Sequence, residues 1–76
     1  GGTAPHSWIM LNDNNMTAAE VNHILVDIDG VTTTQTTNRK IFIGGTNAVP
    51  DSSAGGYDGV TARNSLIAKG VVVDIL

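Results

Sequence analysis

Seventy-six residues with no cysteine, a net charge of −3 and one each of Trp, Tyr and Phe allow a single small domain and no disulfide framework. Four Lys and Arg against seven Asp and Glu give no basic face for a phosphate backbone, so nucleic acid is not an expected partner. No apolar run approaches the ~20 residues of a membrane-crossing helix, and no basic-plus-apolar leader stands at the N-terminus, so a soluble chain without membrane insertion is expected.

A chain of this length buries only about 60% of the surface its unfolded form exposes. Stability borrowed from neighbouring chains, or from a longer parent polypeptide, is therefore expected. The opening Gly-Gly-Thr-Ala-Pro, where Met would begin a translated chain, fits an excised, processed or partial segment and equally residues added in cloning.

Residues 1–7 read as an irregular lead-in, with Pro5 opposing a helix. Ile9 and Leu11 then alternate with Trp8 and Met10, apolar on both sides, which predicts a short buried strand. Asn12, Asp13, Asn14 and Asn15 make a polar turn, because such side chains bond nearby backbone and tolerate left-handed dihedrals. Thr17-Ala18-Ala19-Glu20 is a capping box, with the Thr17 hydroxyl accepting from the Glu20 amide and the Glu20 carboxylate accepting from the Thr17 amide. Val21, Ile24, Leu25 and Ile28 follow at i, i+3, i+4 and i+7, one apolar stripe on a helix of about three turns, with Gly30 as its C-terminal cap.

Residues 31–37, VTTTQTT, read as an exposed extended connection. Lys40 to Ile43 is a second strand, stopped by Gly44 and Gly45, and Thr46 to Pro50 is a second polar turn. Asp51 to Gly59, rich in Gly and Ser, predicts a surface loop with one helical turn around Asp51 to Ala54. Thr61 to Lys69 predicts a second helix, with Leu66 and Ile67 inward and Gly70 as its cap. Val71 to Ile75 is a third strand, so continuously apolar that the interior of a parallel sheet is its expected place.

The order β-α-β-α-β repeats internally, because Ile9 and Leu11 align with Ile41 and Ile43, and these with Val71 and Val73, at steps of about thirty residues. Right-handed crossovers between parallel strands laid down in sequence put both helices on one face of a three-stranded sheet. The expected fold is α/β: a coil and a half of a solenoid, with 8–39 as the first repeat, 40–70 as the second and 71–76 as a closing strand.

Ile9-x-Leu11-x-x-Asn14-x-Met16 resembles the strand and turn of a leucine-rich repeat, in which an asparagine side chain bonds backbone inside the turn. The second copy, Ile41-x-Ile43-Gly44-Gly45-x-Asn47-x-x-Pro50, departs from that pattern by one inserted residue. With Thr17-Ala18-Ala19-Glu20-Val21 and Leu66-x-x-Lys69-Gly70, the ordered string from Trp8 onward resembles leucine-rich-repeat-like modules near the C-termini of bacteriophage tail-fibre or other virion proteins and of some bacterial surface proteins. The resemblance implies a structural or attachment element with no chemistry and no cofactor, on a virion or cell surface. Its implied partners are copies of itself, larger virion or surface proteins, and a host-surface receptor or glycan.

Sharper chemical motifs are weaker fits. Ile24 to Thr32 looks like the first motif of haloacid-dehalogenase-type phosphatases, with Asp27 as nucleophile and Asp29 as acid/base. That motif needs its aspartates after a strand, whereas the capping box and stripe place Asp27 in a helix, and the chain lacks a domain to exclude water from a phosphoryl group. An EF-hand register through Asp27 and Asp29 would put Leu25 and Thr36 at ligand positions, so it fails. His6 and His23, without cysteine, do not make a zinc site, and His23 is expected in solvent. Gly44-Gly45-Thr46 lacks the phosphate-loop spacing, and no serine carries a nucleophile signature.

The contact candidates are instead Trp8 and the Gly55-Gly56-Tyr57 loop tip, since amphipathic aromatics are enriched at interfaces. Trp8 suits the core equally well; Tyr57, flanked by glycines, is expected exposed. A second reading, from another class, is a solenoid that binds a protein or glycan through its strand face or this loop.

Overall fold

The computed structural model describes residues 8–32 and 39–75, and of Trp8 only the backbone. The expectations for the lead-in 1–7, most of the 31–37 connection and the Trp8 side chain lie outside the described residues. Three strands, β1 (Trp8–Met10), β2 (Lys40–Phe42) and β3 (Val72–Asp74), alternate with two helices, α1 (Ala18–Val31) and α2 (Gly59–Ala68). The strands pair in parallel in the order β1-β2-β3, so the α/β class and the three-stranded parallel sheet stand as expected. Trp8 faces Lys40 and Lys40 faces Val72, a step of 32 residues each time.

One core joins the sheet to both helices: Val21 and Leu25 of α1, Ala62 and Leu66 of α2, Ile41 and Val73 of the strands, and Ile43 and Val71 beside the strand ends. Both helices therefore cover the same face. The other face is uncovered by any described element, and Met10 is 66% exposed and Val72 54% exposed on it. This corrects two expectations. Among the described residues the first strand is covered on one side only, and the apolar third strand lies at the edge of the sheet rather than in its interior. An unbroken apolar run marks burial on both faces only when a second layer exists, and the described elements supply a single layer.

The capping box forms at the start of α1: the Glu20 amide donates to Thr17 Oγ1 at 3.3 Å and the Thr17 amide to Glu20 Oε1 at 3.0 Å. Within the stripe, Val21 and Leu25 are fully buried while Ile24 and Ile28 are half-buried toward the β1 side. Gly30 does not cap the helix. Helical geometry runs through it to Val31, and Thr32 ends the helix, its hydroxyl donating to the Ile28 carbonyl at 2.6 Å. No basic residue sits in the last turn of α1, and Lys69 of α2 supplies the missing charge, donating to the Asp29 carbonyl at 2.9 Å. The same carbonyl accepts from the Thr32 amide at 3.2 Å, and the Lys69 cation at this end opposes the helix dipole.

In α2 the inward positions are Gly59, Ala62 and Leu66, and Ile67 is 47% exposed, which corrects the expectation that it faces inward. Leu66 and Ala62 lie four residues apart on one stripe, whereas Ile67 is turned about 100° from Leu66 toward the sheet's open edge. The helix also begins earlier than Thr61. Asp58 caps it, Oδ1 accepting from the Thr61 amide at 2.9 Å. A Cβ on Gly59 would stand 2.9 Å from Asn22 Cα, so the first turn of α2 needs glycine to approach α1.

Gly70 has φ +94° and closes α2 as a Schellman motif: its amide donates to the Ile67 carbonyl and the Val71 amide to the Leu66 carbonyl, both at 3.0 Å. Val71 and Leu66 are both in the core, so the motif also aims β3. Gly70→Ala forces a side chain into the left-handed region and is expected to lower stability by about 1–2 kcal/mol. Thermal unfolding followed by circular dichroism should place the midpoint about 5–10 °C lower.

Candidate interaction surface

Three features dominate the described surface: the turns at one end of the sheet, the loop between β2 and α2, and the open edge of β3. The turns are joined by one buried side chain. Asn47, 7% exposed, donates through Nδ2 to the carbonyls of Leu11 at 2.7 Å and Ile43 at 3.1 Å, and accepts through Oδ1 from the amides of Asn14 and Met16, both at 3.0 Å. All four hydrogen-bonding places of the amide are filled. Asp13 Oδ1 accepts from the Thr46 amide at 3.0 Å, and Thr46 Oγ1 from the Asn15 amide at 3.3 Å.

The side chain of Asn14 bonds within its own turn, Nδ2 donating to Leu11 O at 2.8 Å and Asn12 O at 3.3 Å, and the residue is exposed. The strand register explains why Asn14 and Asn47 differ. Ile9 pairs with Ile41, so the counterpart of Asn47 is Asn15, and that of the left-handed Gly45 (φ +67°) is Asp13 (φ +60°). The apparent insertion in the second copy comes from matching Asn47 to Asn14.

The loop carries its turn of 3-10 helix at Ala54–Gly56, slightly later than the Asp51–Ala54 turn expected. It is fastened from below by Asn22, wholly buried in α1. Asn22 Nδ2 lies 2.7 Å from Asp51 Oδ1, 3.2 Å from Ala54 O and 3.0 Å from Tyr57 O, and Asn22 Oδ1 accepts from the Asp51 amide at 2.9 Å. Asp51 in turn accepts from the amides of Ser53 and Ala54.

The tip is less available than expected. A Cβ on Gly55 would lie 2.8 Å from Ala19 Cβ, so this glycine packs on α1, while Gly56 faces open space. Tyr57 is half-buried, its ring stacked on the His23 imidazole with centroids 4.3 Å apart and planes 6° apart. His23 is exposed and lies 3.2 Å from Asp27 Oδ2. The contact of His23 with Tyr57 replaces the freely exposed tyrosine expected at the loop.

Asp29 pairs with Lys69 at 2.8 Å. That pair, with a hydrogen bond from Ser65, holds the Asp29 carboxyl below its ordinary value of 3.8. Asp51 is lowered by the Ala54 amide, Asn22 and the Ser53 amide, and Asp58 by the Thr61 amide and hydroxyl. A carboxyl with a lower pKa folded than unfolded stabilises the fold above the unfolded value and loses that contribution as pH falls through the folded one. The melting temperature is therefore expected to stay level from pH 8 to about 5 and to fall below about 4. Asp51→Asn should flatten that fall in a series of thermal melts.

Asp27 and Asp29 both sit on α1, Asp27 exposed in its third turn and Asp29 near its end, not at the end of a strand. Among the described residues no three His, Cys, Asp or Glu side chains gather as a metal site would require, and no helix is long and apolar enough to cross a membrane.

Beyond β3 no described strand pairs. An open groove of about 420 Å³ runs there between Arg63 of α2 and Val72, Val73, Asp74 and Ile75. Arg63 Nε is buried without a hydrogen-bond partner among the described residues. On the uncovered face Lys40 Nζ stands 4.6 Å from the Phe42 ring centre. A smaller pocket of about 180 Å³ opens beside Ile9, Ile28, Thr32, Arg39, Ile41 and Val71. Comparison with family models, with curated proteins and with solved structures finds no match.

Proposed function

We propose that this chain is a leucine-rich-repeat-like solenoid module, a non-enzymatic structural or attachment element of a virion appendage or bacterial surface protein that acts by assembling with neighbouring chains. The observation that carries the reading is the edge of β3, which no described strand pairs and where the described core stops at an open groove beneath Arg63. The sequential parallel order, the constant 32-residue step and the Asn47 bridge between successive turns support the solenoid. The virion or surface setting rests on the resemblance of the ordered strand, turn and helix motifs from Trp8 onward. Repeat units bury their faces by stacking, and a short stack gains stability from whatever covers its ends.

A second reading, a protein- or glycan-binding solenoid, is favoured by the uncovered sheet face, where Met10, Val72 and the Lys40–Phe42 contact present an apolar and cationic surface. Thermal unfolding at rising protein concentration separates the two. Assembly makes the melting temperature rise with concentration, by mass action; a binding module that works as a monomer keeps it constant.

A further inference from the structure

Resting on the assembly reading above, we infer that the partner at the β3 edge is a second copy of this chain, stacked head to tail so that its β1 becomes the fourth strand of a continuous parallel sheet. The backbone supports this first. The Val72 amide donates to Arg39 O and the Asp74 carbonyl accepts from the Ile43 amide, so both residues direct these groups to the β2 side. Alternation along the strand turns the Val73 amide and carbonyl outward, to the open edge. On β1 the Leu11 amide donates to Phe42 O, which by the same alternation leaves Met10 facing its own outer edge. One more step of the same register sets Val73 opposite Ile9 of the next copy, as Ile41 is set opposite Ile9 within the chain.

The helices support it independently. The flank of α2 that faces α1 is fixed by Lys69 bonding Asp29 and by Gly59 packing on Asn22. Its opposite flank, over the β3 groove, carries Val60, Arg63 and Ile67, with Arg63 its only charge. On α1 the flank away from α2 carries half-buried Ile24 and Ile28, exposed Val31, and the acids Glu20 and Asp27 with no Lys or Arg. Stacking places the first flank on the second: aliphatic against aliphatic, and one cation against two anions. The two ends differ, so the contact is heterologous and propagates unless its rotation closes a ring.

Sedimentation velocity across a dilution series, with circular dichroism on each sample, tests this. Arg63→Glu and Asp27→Arg lie on opposite ends, and each alone sets like charges at the joint. Each is expected to weaken self-association at least tenfold, with the helical signal still reached at high concentration and lost together with the oligomer on dilution. Mixed one to one, the two variants bring either the introduced glutamate against the introduced arginine or the native Arg63 against the native Asp27, and association should return. If both variants assemble as the unmodified chain does, the head-to-tail joint is wrong although the assembly reading stands. Loss of association on Phe42→Lys alone, on the central strand and the uncovered face, would move the interface to the sheet face, and it too would overturn the joint while leaving the assembly reading in place. A chain that stays a folded monomer at every concentration overturns both.

Discussion

Asn47→Ala is expected to lower folding stability by about 3 kcal/mol or more, since it strips two amides and two carbonyls of a common partner and about 1–3 kcal/mol follows each buried group left unsatisfied. The Leu11 carbonyl keeps its bond from Asn14 Nδ2, which limits the loss on one side. Among the described residues the amides of Asn14 and Met16 have only Asn47 Oδ1. A domain of this size has about 5 kcal/mol in all, so most of the margin goes. In urea, with a slope of about 1 kcal/mol per molar, the midpoint should fall by about 3 M. Asn14→Ala, at an exposed position with side-chain bonds confined to its own turn, should shift it by under about 1 M. Equal shifts for the two asparagines would show that the link between turns carries none of the stability ascribed to it.

Asn22→Leu comes next in size. Leucine fills nearly the same volume but donates nothing, leaving the Asp51 amide and the carbonyls of Ala54 and Tyr57 without their buried partner. Water reaches the exposed side of that loop and replaces part of the loss, so about 2–3 kcal/mol is expected. The effect should be local as well as global. With its fastening gone, the 51–57 loop opens before the helices do, and limited proteolysis should cut near Gly55 and Gly56 well ahead of any other site. Uniform slowing or acceleration of all cuts would place Asn22 in the general packing and not in the loop's restraint.

The elements of this fold are written locally. Thr17 and Glu20 specify the start of α1 by themselves, and Gly70 specifies the end of α2, because caps depend on residues within one turn of each other. The parallel sheet follows from strand spacing and the handedness of crossovers. What pairs with what across the chain is not local. Asn22 sits inside an apolar stripe, where nothing but the polar loop 29 residues later announces a partner; an asparagine beside Val21 within a helix is the one available signal. Lys69 reaches Asp29 from another helix, and that long-range bond lets α1 run on through Gly30 to Thr32.

Faces were legible only in part. Ile67 and Val72 carry the same apolar character as Leu66 and Val73, and only the number of covering layers decides which pair is buried. The candidate joint at Arg63 has no sequence signature, since a lone arginine on a helix of weak amphipathic pattern gains meaning from the groove it overhangs.

The central claim is that this small core is completed by its neighbours. Light scattering and circular dichroism on the same dilution series test it most directly. The expected result is a mass above that of one 7.9 kDa chain at high concentration, falling on dilution together with the helical signal. A mass of one chain throughout, with the helical signal intact, would contradict it.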